Sequence, residues 1–432
     1  MNMINNTLFS HCLNILPSLL QFNQATPTES CLAFYFNKQA PRAGAKDRQI
    51  IGDVLFTLTR NLQSIHFFLD NQKDNRKKLI CAIALYLHQQ NPPESIKKNL
   101  TSEISSEEIT LGNNFLHWWQ QKSATTSPRT VTTELPEWLL QKLDFLSEEQ
   151  IISLSDSLKT PAPLDLRVNL LKAKRDKVLL QLQQEGLPVE ATPYSPWGIR
   201  CHEKINLSKH PLFLNGTLEI QDEGSQLLAL ITGAKRNELI VDFCAGSGGK
   251  TLALSAMMTN TGRIYAIDNS EHRLKQIKPR LERSGVSNIT IQHIAHENDN
   301  RLHKLTGKAD RVLIDAPCSG LGTLRRHPDL KYRQNPQTIK QITQTQQAIL
   351  EAAEKLVKPG GTLIYASCSF LPEENQQRIA SFLTNHPEYE TIQMHTILEK
   401  SKINLQMGEY LMLRPDTHNT DGFFAAVLKK NS

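Results

Sequence analysis

Apolar positions in residues 1–121 recur at the three- and four-residue spacing of helices. One helical face carries Ile51, Val54, Leu55, Leu58, Leu62 and Ile65. The run from Leu79 to Leu87 is apolar on all sides, which predicts a buried helix. Residues 1–121 are therefore predicted to form a helical domain.

The next segment, residues 122–133, is rich in Ser and Thr, carries Pro128 and has no apolar periodicity. These properties predict a linker. Short helical stretches resume after it, and residues 164–169 alternate like a strand before a helix predicted at 176–185. Residues 134–225 are predicted to form a small α/β subdomain.

From residue 226 onward, short apolar runs that end in polar or glycine residues alternate with helical stretches. The apolar runs are 239–241, 264–267, 289–291, 312–314 and 363–365. This alternation predicts an α/β domain over 226–432, with a doubly wound, mostly parallel, Rossmann-like sheet. Ligands bind at the carboxyl ends of the strands in such sheets, and the candidate chemical residues fall at these ends.

A glycine-rich turn follows the first of these strands. Its residues are Cys244, Ala245, Gly246, Ser247, Gly248, Gly249 and Lys250. Glycines let a ligand approach the backbone, and the helix that follows offers free N–H groups. A phosphate loop would need glycine where Cys244 stands, so the turn favours S-adenosylmethionine, with Asp268 on the ribose hydroxyls. A nucleoside triphosphate site and a turn without a ligand stay open as alternatives.

Two cysteines, Cys318 and Cys368, follow predicted strands in polar loops. A thiolate that adds to carbon 6 of cytosine makes carbon 5 nucleophilic enough to accept a methyl group. Asp315 lies near enough in sequence to Cys318 to act as an acid at N3 of the ring. The pair predicts methylation of a pyrimidine at carbon 5, and the pattern alone does not identify the nucleophile. Buried structural cysteines and a regulatory disulfide stay open as alternatives.

The composition of the chain bears on the redox state of its thiols, its cell compartment and its binding partners. Seven scattered cysteines without a CxxC spacing predict reduced thiols and no metal site. No long apolar run occurs, and no Lys or Arg precedes Lys38, so we expect a cytoplasmic protein without membrane span or secretory signal. The net charge of +6 is compatible with a polyanionic partner and does not establish one.

Several segments carry a specific resemblance. They are Asp315-Ala316-Pro317-Cys318-Ser319-Gly320, Arg325-Arg326-His327-Pro328-Asp329, Pro359-Gly360-Gly361, Cys368-Ser369, Pro372-Glu373-Glu374-Asn375 and Asp421-Gly422-Phe423-Phe424. The region from about 160 to 432 resembles the RsmB–Nop–Sun (Fmu/Sun-like) family of S-adenosylmethionine-dependent RNA cytosine-5 methyltransferases. Residues 1–121 are similar to a reduced form of the NusB-like RNA-binding domain of its bacterial 16S rRNA members.

The resemblance implies a role for each thiol. Cys368 would be the nucleophile, and Cys318 would serve product release as the base at carbon 5. Asp315 would contact both the base and the cofactor.

The resemblance also implies cofactor contacts. Residues 244–250 would surround the methionine end of S-adenosylmethionine, and Asp268 would hold the ribose. An acidic residue after the third strand would contact the adenine; Asp299 is our choice, with Glu297 as the alternative.

The chain departs from the family pattern at two places. Gly246-Ser247 stands where the family usually has Ala-Pro, so we expect a more flexible cofactor turn. Ser367 replaces the usual Thr before the nucleophile and keeps its hydroxyl, so we expect activity to survive.

The target cytosine must be unpaired or flipped out of a helix for its carbon 6 to meet a thiol. Arg325, Arg326 and Lys331 are predicted to hold RNA phosphates, with a solvated helix face as the alternative. The resemblance favours 16S rRNA as substrate over tRNA. A non-catalytic, RNA-binding ribosome-assembly factor stays open. We infer no obligate protein partner and expect a monomer.

Overall fold

The computed structural model describes residues 4–22, 26–90, 103–123, 125–203 and 205–432. The chain divides into two compact units: Met1–Pro161 with Leu324–Pro336, and Ala162–Thr323 with Gln337–Ser432. Within the described ranges, each helix is too short or too polar to cross a bilayer.

The first unit is helical, as predicted. Its helices before residue 161 are α1 Asn6–Leu19, α2 Thr28–Lys38, α3 Ala45–Arg60, α4 Leu62–Phe68, α5 Asn75–Gln90, α6 Ser106–Gln121, α7 Arg129–Thr133, α8 Glu137–Lys142 and α9 Glu148–Leu158. Every residue of α5 from Leu79 to Leu87 is buried, in agreement with the uniformly apolar sequence of this run. The helical face predicted over 51–65 is split at Asn61, which ends α3 and donates its side-chain N–H to the Thr57 carbonyl at 2.9 Å.

The segment predicted to be a linker packs as part of this unit. Lys122 donates to Ser64 Oγ at 2.6 Å and pairs with Glu134 at 3.3 Å. Helix α7 follows, with Val131 buried; Ala124 lies outside the described residues. Grouped by contacts, residues 122–161 go with the helices before them. The domain boundary at 134 stays a prediction.

The second unit begins with a four-stranded antiparallel sheet of order β2-β3-β1-β4. Its elements are β1 Leu164–Val168, α10 Arg175–Gln184, β2 Val189–Ala191, β3 Gly198–Cys201, α11 Pro211–Leu214 and β4 Leu218–Ile220, followed by α12 Glu223–Leu230. This is the predicted small α/β subdomain, without the helices of residues 134–161.

A larger sheet of order β10-β12-β9-β8-β5-β6-β7 follows, with β11 paired to β12. Its strands are β5 Leu239–Asp242, β6 Arg263–Asp268, β7 Ile289–His293, β8 Ala309–Asp315, β9 Val357–Ser367, β10 Tyr389–Thr391, β11 Leu411–Leu413 and β12 Phe423–Lys430. The remaining helices are α13 Gly249–Met257, α14 Glu271–Lys275, α15 Ile277–Ser284, α16 Leu330–Arg333, α17 Pro336–Ala353, α18 Gln376–Asn385, α19 Met394–Lys400 and α20 Pro415–His418.

Strands β5 to β9 run parallel to one another, whereas β12 pairs antiparallel with β9, which confirms the predicted mostly parallel fold class. Val241 and Val312 pack into the core on one face of the sheet, whereas Ile240 and Leu313 pack on the other. Both faces are covered, which explains why these strands read as continuous apolar runs. The parallel strands also bring Asp242, Asp268, Asp315 and the residues after β9 to one edge of the sheet.

Residues 324–336, with α16, belong to the first unit. Lys331 donates its ammonium protons to the carbonyls of Arg60 at 3.0 Å and Glu134 at 2.6 Å. Arg325 donates to the carbonyl of Pro161 at 3.0 Å. This segment follows the Cys318 loop directly in sequence. The chain therefore leaves the second unit after Thr323 and re-enters it at Gln337.

A buried ion pair in the four-stranded sheet offers a test of the fold. Arg200 donates two hydrogen bonds to Asp165, at 2.8 and 2.9 Å, and both side chains are buried. We predict that Arg200→Met lowers the free energy of unfolding by about 3–5 kcal/mol, because it leaves the Asp165 carboxylate buried without its partner. Urea unfolding curves measure this change.

The control is Arg175→Ala, since the partner of Arg175 is the exposed Asp176. That variant should cost no more than about 1 kcal/mol. Equal effects of the two variants would contradict the structural role given to the buried pair.

Candidate active site

A cavity of about 870 Å³ opens at the carboxyl edge of the parallel strands. Its walls include Cys244, Asp268, Asp315, Cys318 and Cys368. These are residues predicted from the sequence to act together, and they come from the ends of β5, β6, β8 and β9. The parallel topology therefore gathers the cofactor turn and both thiols around one space.

The glycine turn is held in a backbone shape that glycine favours. Gly246 and Gly248 have positive φ angles of 56° and 84°. A Cβ atom on Gly248 would lie 3.0 Å from the side chain of Ile277, so the space there is also restricted. Gly248 is the N-cap of α13, whose first N–H groups are free for a ligand.

Asp268 is a buried acid on the cavity wall, where the prediction placed it. Its carboxylate accepts hydrogen bonds from the backbone N–H groups of Gly246 at 2.8 Å and Ser270 at 2.7 Å. Arg273 donates to the same carboxylate at 3.1 Å. These bonds fix the position of Asp268 relative to the glycine turn, and its contact with a ribose stays a prediction.

Ser247, which stands where the family usually has proline, is held by a neighbouring cation. Arg280 donates to the Ser247 carbonyl at 2.7 Å and to its hydroxyl at 3.2 Å. Arg280 also donates to Glu219 of β4 at 2.8 Å. This link opposes the flexibility that we expected from the loss of proline, because it ties the turn to the four-stranded sheet.

Three ionisable residues line the cavity together with two glycines of the turn and both thiols. Lys250 donates to Asp315 at 2.7 Å. Burial opposes the charge of Lys250, but Asp315, Asp242 and Cys368 raise its pKa above the usual value. Asp242 is buried and accepts from Thr251 Oγ1 at 2.6 Å. Burial raises the pKa of Asp242 to about 7.

Asp242 was missed as a site residue by the sequence reasoning. One of its carboxylate oxygens has no hydrogen-bond partner within the described part of the chain, and the residue lines the cavity. The sequence signal that could have identified Asp242 is its position as an acidic residue at the end of the strand before the glycine turn. The unpartnered carboxylate oxygen of Asp242 can accept a hydrogen bond from a ligand. The free N–H groups of α13 can donate to a polar group of the same ligand.

The two thiols are in contact. The Cys318 and Cys368 sulfurs lie 3.0 Å apart, and the Cys368 backbone N–H donates to Cys318 Sγ at 3.3 Å. The hydrogen bond to Cys368 raises the pKa of Cys318 well above its usual value, with further contributions from burial and from the charge of Glu374. These causes disfavour the thiolate form of Cys318.

The acidic residue proposed for the adenine is not at the cavity. Asp299 accepts from the backbone N–H groups of Ala295 and Arg301, both at 2.9 Å, and caps a short 3-10 helix. Glu297, which was the alternative, lines the cavity. The capping bonds turn the Asp299 carboxylate to its own backbone, so the structure favours Glu297 for this position.

The three basic residues predicted to contact RNA do not line the cavity. Arg325 and Lys331 are buried in the first unit and donate to backbone carbonyls there. Burial lowers the pKa of Lys331 to about 8. The structure thus places both inside the helical unit and not on a surface that RNA could reach. Arg326 is half-buried, and its RNA contact stays a prediction.

Comparison with known proteins adds to this geometry. The model of the 16S rRNA methyltransferase RsmB/F family matches residues 229–429. A second model, the ferredoxin-like domain of RsmF/B-like methyltransferases, matches residues 135–208.

Two curated relatives and one solved structure illustrate the similarity. The probable ribosomal RNA small subunit methyltransferase B of Synechocystis is 35% identical over 68% of this chain and 66% of its own length. The ribosomal RNA small subunit methyltransferase B of Yersinia pseudotuberculosis is 32% identical over 74% of this chain and 73% of its own. A methyltransferase homolog from Pyrococcus horikoshii is 28% identical, covers 72% of this chain and all of its own, and superposes with a TM-score of 0.61.

The link between Arg280 and Ser247 can be tested through cofactor affinity. We predict that Arg280→Met weakens binding of S-adenosylmethionine about fivefold, the effect of roughly 1 kcal/mol, because the turn loses its two hydrogen bonds. Isothermal titration calorimetry on the full chain measures this. Arg263→Met, at the exposed start of β6, is the control and should bind as the unmodified protein does.

A second substitution separates indirect from direct action. Ser247→Pro added to Arg280→Met should recover most of the affinity, because proline restores a constraint on the turn. A double variant as weak as the single one would mean that Arg280 contacts the cofactor itself.

Proposed function

Because the chain belongs to the RsmB–Nop–Sun family of S-adenosylmethionine-dependent RNA methyltransferases, we propose that it methylates carbon 5 of an unpaired cytosine in 16S rRNA through a covalent bond from Cys368. The observation that carries the proposal is the contact of two thiols in one cavity with the Lys250–Asp315 pair and the cofactor turn. A cysteine with only a structural role would not need a second thiol, an ion pair and a ligand-binding turn around the same cavity.

The cofactor end of the cavity suits S-adenosylmethionine. The free N–H groups of α13, the buried Asp268 and the half-buried Glu297 offer donors and acceptors for the methionine, ribose and adenine parts. Asp242, one of whose carboxylate oxygens has no hydrogen-bond partner among the described residues, lines the same cavity. When bound, S-adenosylmethionine supplies an electrophilic methyl group on its sulfonium.

Cys368 is the better placed nucleophile of the two thiols. The contact with Cys368, burial and the charge of Glu374 raise the pKa of Cys318, which disfavours Cys318 as the attacking thiol. The family resemblance likewise assigns the attack to the Cys368 thiolate. In the proposed reaction, this thiolate adds to carbon 6 of the cytosine, and carbon 5 gains the electron density that it needs to take the methyl group.

Asp315 and Lys250 act on the ring during this addition. Asp315 lines the cavity and is about one-third exposed, so its carboxyl can reach a ligand there, and Lys250 at 2.7 Å holds it in place. A proton or hydrogen bond given to N3 would withdraw electrons from carbon 6 and speed the attack. We assign this contact to Asp315, which takes a proton from the Lys250 ammonium across their 2.7 Å contact and passes it to N3.

Cys318 serves the last step. The proton on carbon 5 must leave so that the bond between carbon 6 and Cys368 can break, and Cys318 lies 3.0 Å from that sulfur. Once the Cys368 sulfur is bonded to carbon, the Cys318 thiol gives its own proton to solvent at the mouth of the cavity. The Cys318 thiolate then takes the proton from carbon 5, and the electron pair of that bond expels the Cys368 sulfur as a thiolate.

Substitution of each thiol tests the proposal. We predict that Cys368→Ala lowers tritium transfer from labelled S-adenosylmethionine to 16S rRNA by about 10³-fold or more, because no covalent bond can form. Cys318→Ala should instead trap the covalent protein–RNA bond, seen as a slow band on a denaturing gel that RNase removes. Cys31→Ala, in α2 of the helical unit, is the control and should resemble the unmodified protein.

The contrary outcomes are specific. A trapped adduct with Cys368→Ala and none with Cys318→Ala would reverse the two roles. Transfer to tRNA but not to 16S rRNA would keep the mechanism and replace the substrate. Binding of RNA with no transfer at all would favour an assembly factor without catalysis.

A further inference from the structure

One buried carboxylate joins the loops of the two thiols. Glu374 accepts hydrogen bonds from the Ser319 backbone N–H at 2.8 Å and from the Ser319 hydroxyl at 2.5 Å. The Ser369 hydroxyl donates to it at 2.6 Å, and Gln346 Nε2 donates at 3.1 Å. Glu374 itself is fully buried.

The partners of Glu374 are the residues next to the two cysteines. Ser319 follows Cys318 and Ser369 follows Cys368 in the sequence, so one side chain sets the positions of both loops. The Ser319 hydroxyl also lies 3.2 Å from that of Ser369. Glu374 therefore supports the short contact between the sulfurs through the two loops, and not through a hydrogen bond to either sulfur.

Four donors meet at this carboxyl group, and an ionised carboxylate accepts such a set without a donor of its own. An amide in the same place would turn an NH₂ group toward donors and would lose at least one of these bonds. A negative charge is thus part of the arrangement. The cost of its burial is offset by the hydrogen bonds that it accepts.

The bonds of Glu374 to the two loops are unequal. Glu374 accepts two hydrogen bonds from Ser319, next to Cys318, and one from Ser369, next to Cys368. Its charge is also among the causes that raise the pKa of Cys318. Glu374 therefore acts more strongly on the Cys318 loop than on the Cys368 loop.

We propose that Glu374 is a positioning residue that holds the two thiol loops together and directs the attack on cytosine to Cys368. This inference rests on the proposed covalent function. The sequence pattern alone left open which of the two thiols attacks. Glu374 would help to determine that it is Cys368.

The test compares Glu374→Gln with Glu373→Gln, its neighbour in sequence, in the full chain without RNA. The initial rates of alkylation of Cys318 and Cys368 by iodoacetamide are measured across a pH series, by mass spectrometry of the peptides. In the unmodified protein, Cys368 should react faster. In Glu374→Gln, the ratio of the Cys368 to the Cys318 rate should fall about tenfold, because Cys318 loses a charge that raises its pKa and its loop loses hydrogen bonds that fix it. Glu373→Gln should keep the ratio.

Steady-state kinetics supply the second readout. Glu374→Gln should lower kcat about tenfold or more while KM for RNA and for S-adenosylmethionine changes little, because the reacting groups and not the binding walls are displaced. Ser369→Ala removes one hydrogen bond and leaves the charge. It should lower kcat by less and keep the alkylation ratio, and it also keeps the test open if Glu374→Gln does not fold.

Several results would overturn the inference. One is an alkylation ratio in Glu374→Gln equal to that of Glu373→Gln. Another is a uniform rise in the reactivity of both thiols, which is what simple loosening of the fold would give. A shifted ratio in a protein that methylates no RNA would support the role of Glu374 and refute the proposed function, so the two failures can be told apart.

Discussion

A carboxylate buried among hydroxyl and amide donors is costly to desolvate, and Glu374 is such a group. Its hydrogen bonds hold the loops after β8 and β9 close enough for the Cys318 and Cys368 sulfurs to lie 3.0 Å apart. Apolar packing at this position would serve stability as well. The polar arrangement is therefore better explained by the chemistry of the thiols than by the stability of the sheet.

Ion pairs also support the cofactor turn. Glu219, on β4 of the four-stranded sheet, pairs with both Arg280 and Arg283. Arg280 then holds Ser247. The four-stranded sheet thus supports the cofactor turn, and the chain compensates for a missing proline through a contact between distant residues.

Much of the fold could be predicted because parallel strands covered on both faces leave continuous apolar runs, as in residues 239–241 and 312–314. The same reasoning predicted that the thiols and Asp315 share one edge of the sheet, since they end such runs. Composition predicted a linker at 122–133, but it does not show the hydrogen bond from Lys122 to Ser64, far away in sequence. Asp299 was chosen by spacing, which does not show that its carboxylate caps its own backbone.

The central claim is that this chain methylates a cytosine of 16S rRNA at carbon 5. Bisulfite sequencing of total RNA from cells with and without the gene tests it most directly, because methylation at carbon 5 protects cytosine from deamination. The account predicts that one protected cytosine in 16S rRNA disappears with the gene and returns with the intact gene but not with its Cys368→Ala form. An unchanged pattern of protected cytosines in all RNA would contradict it.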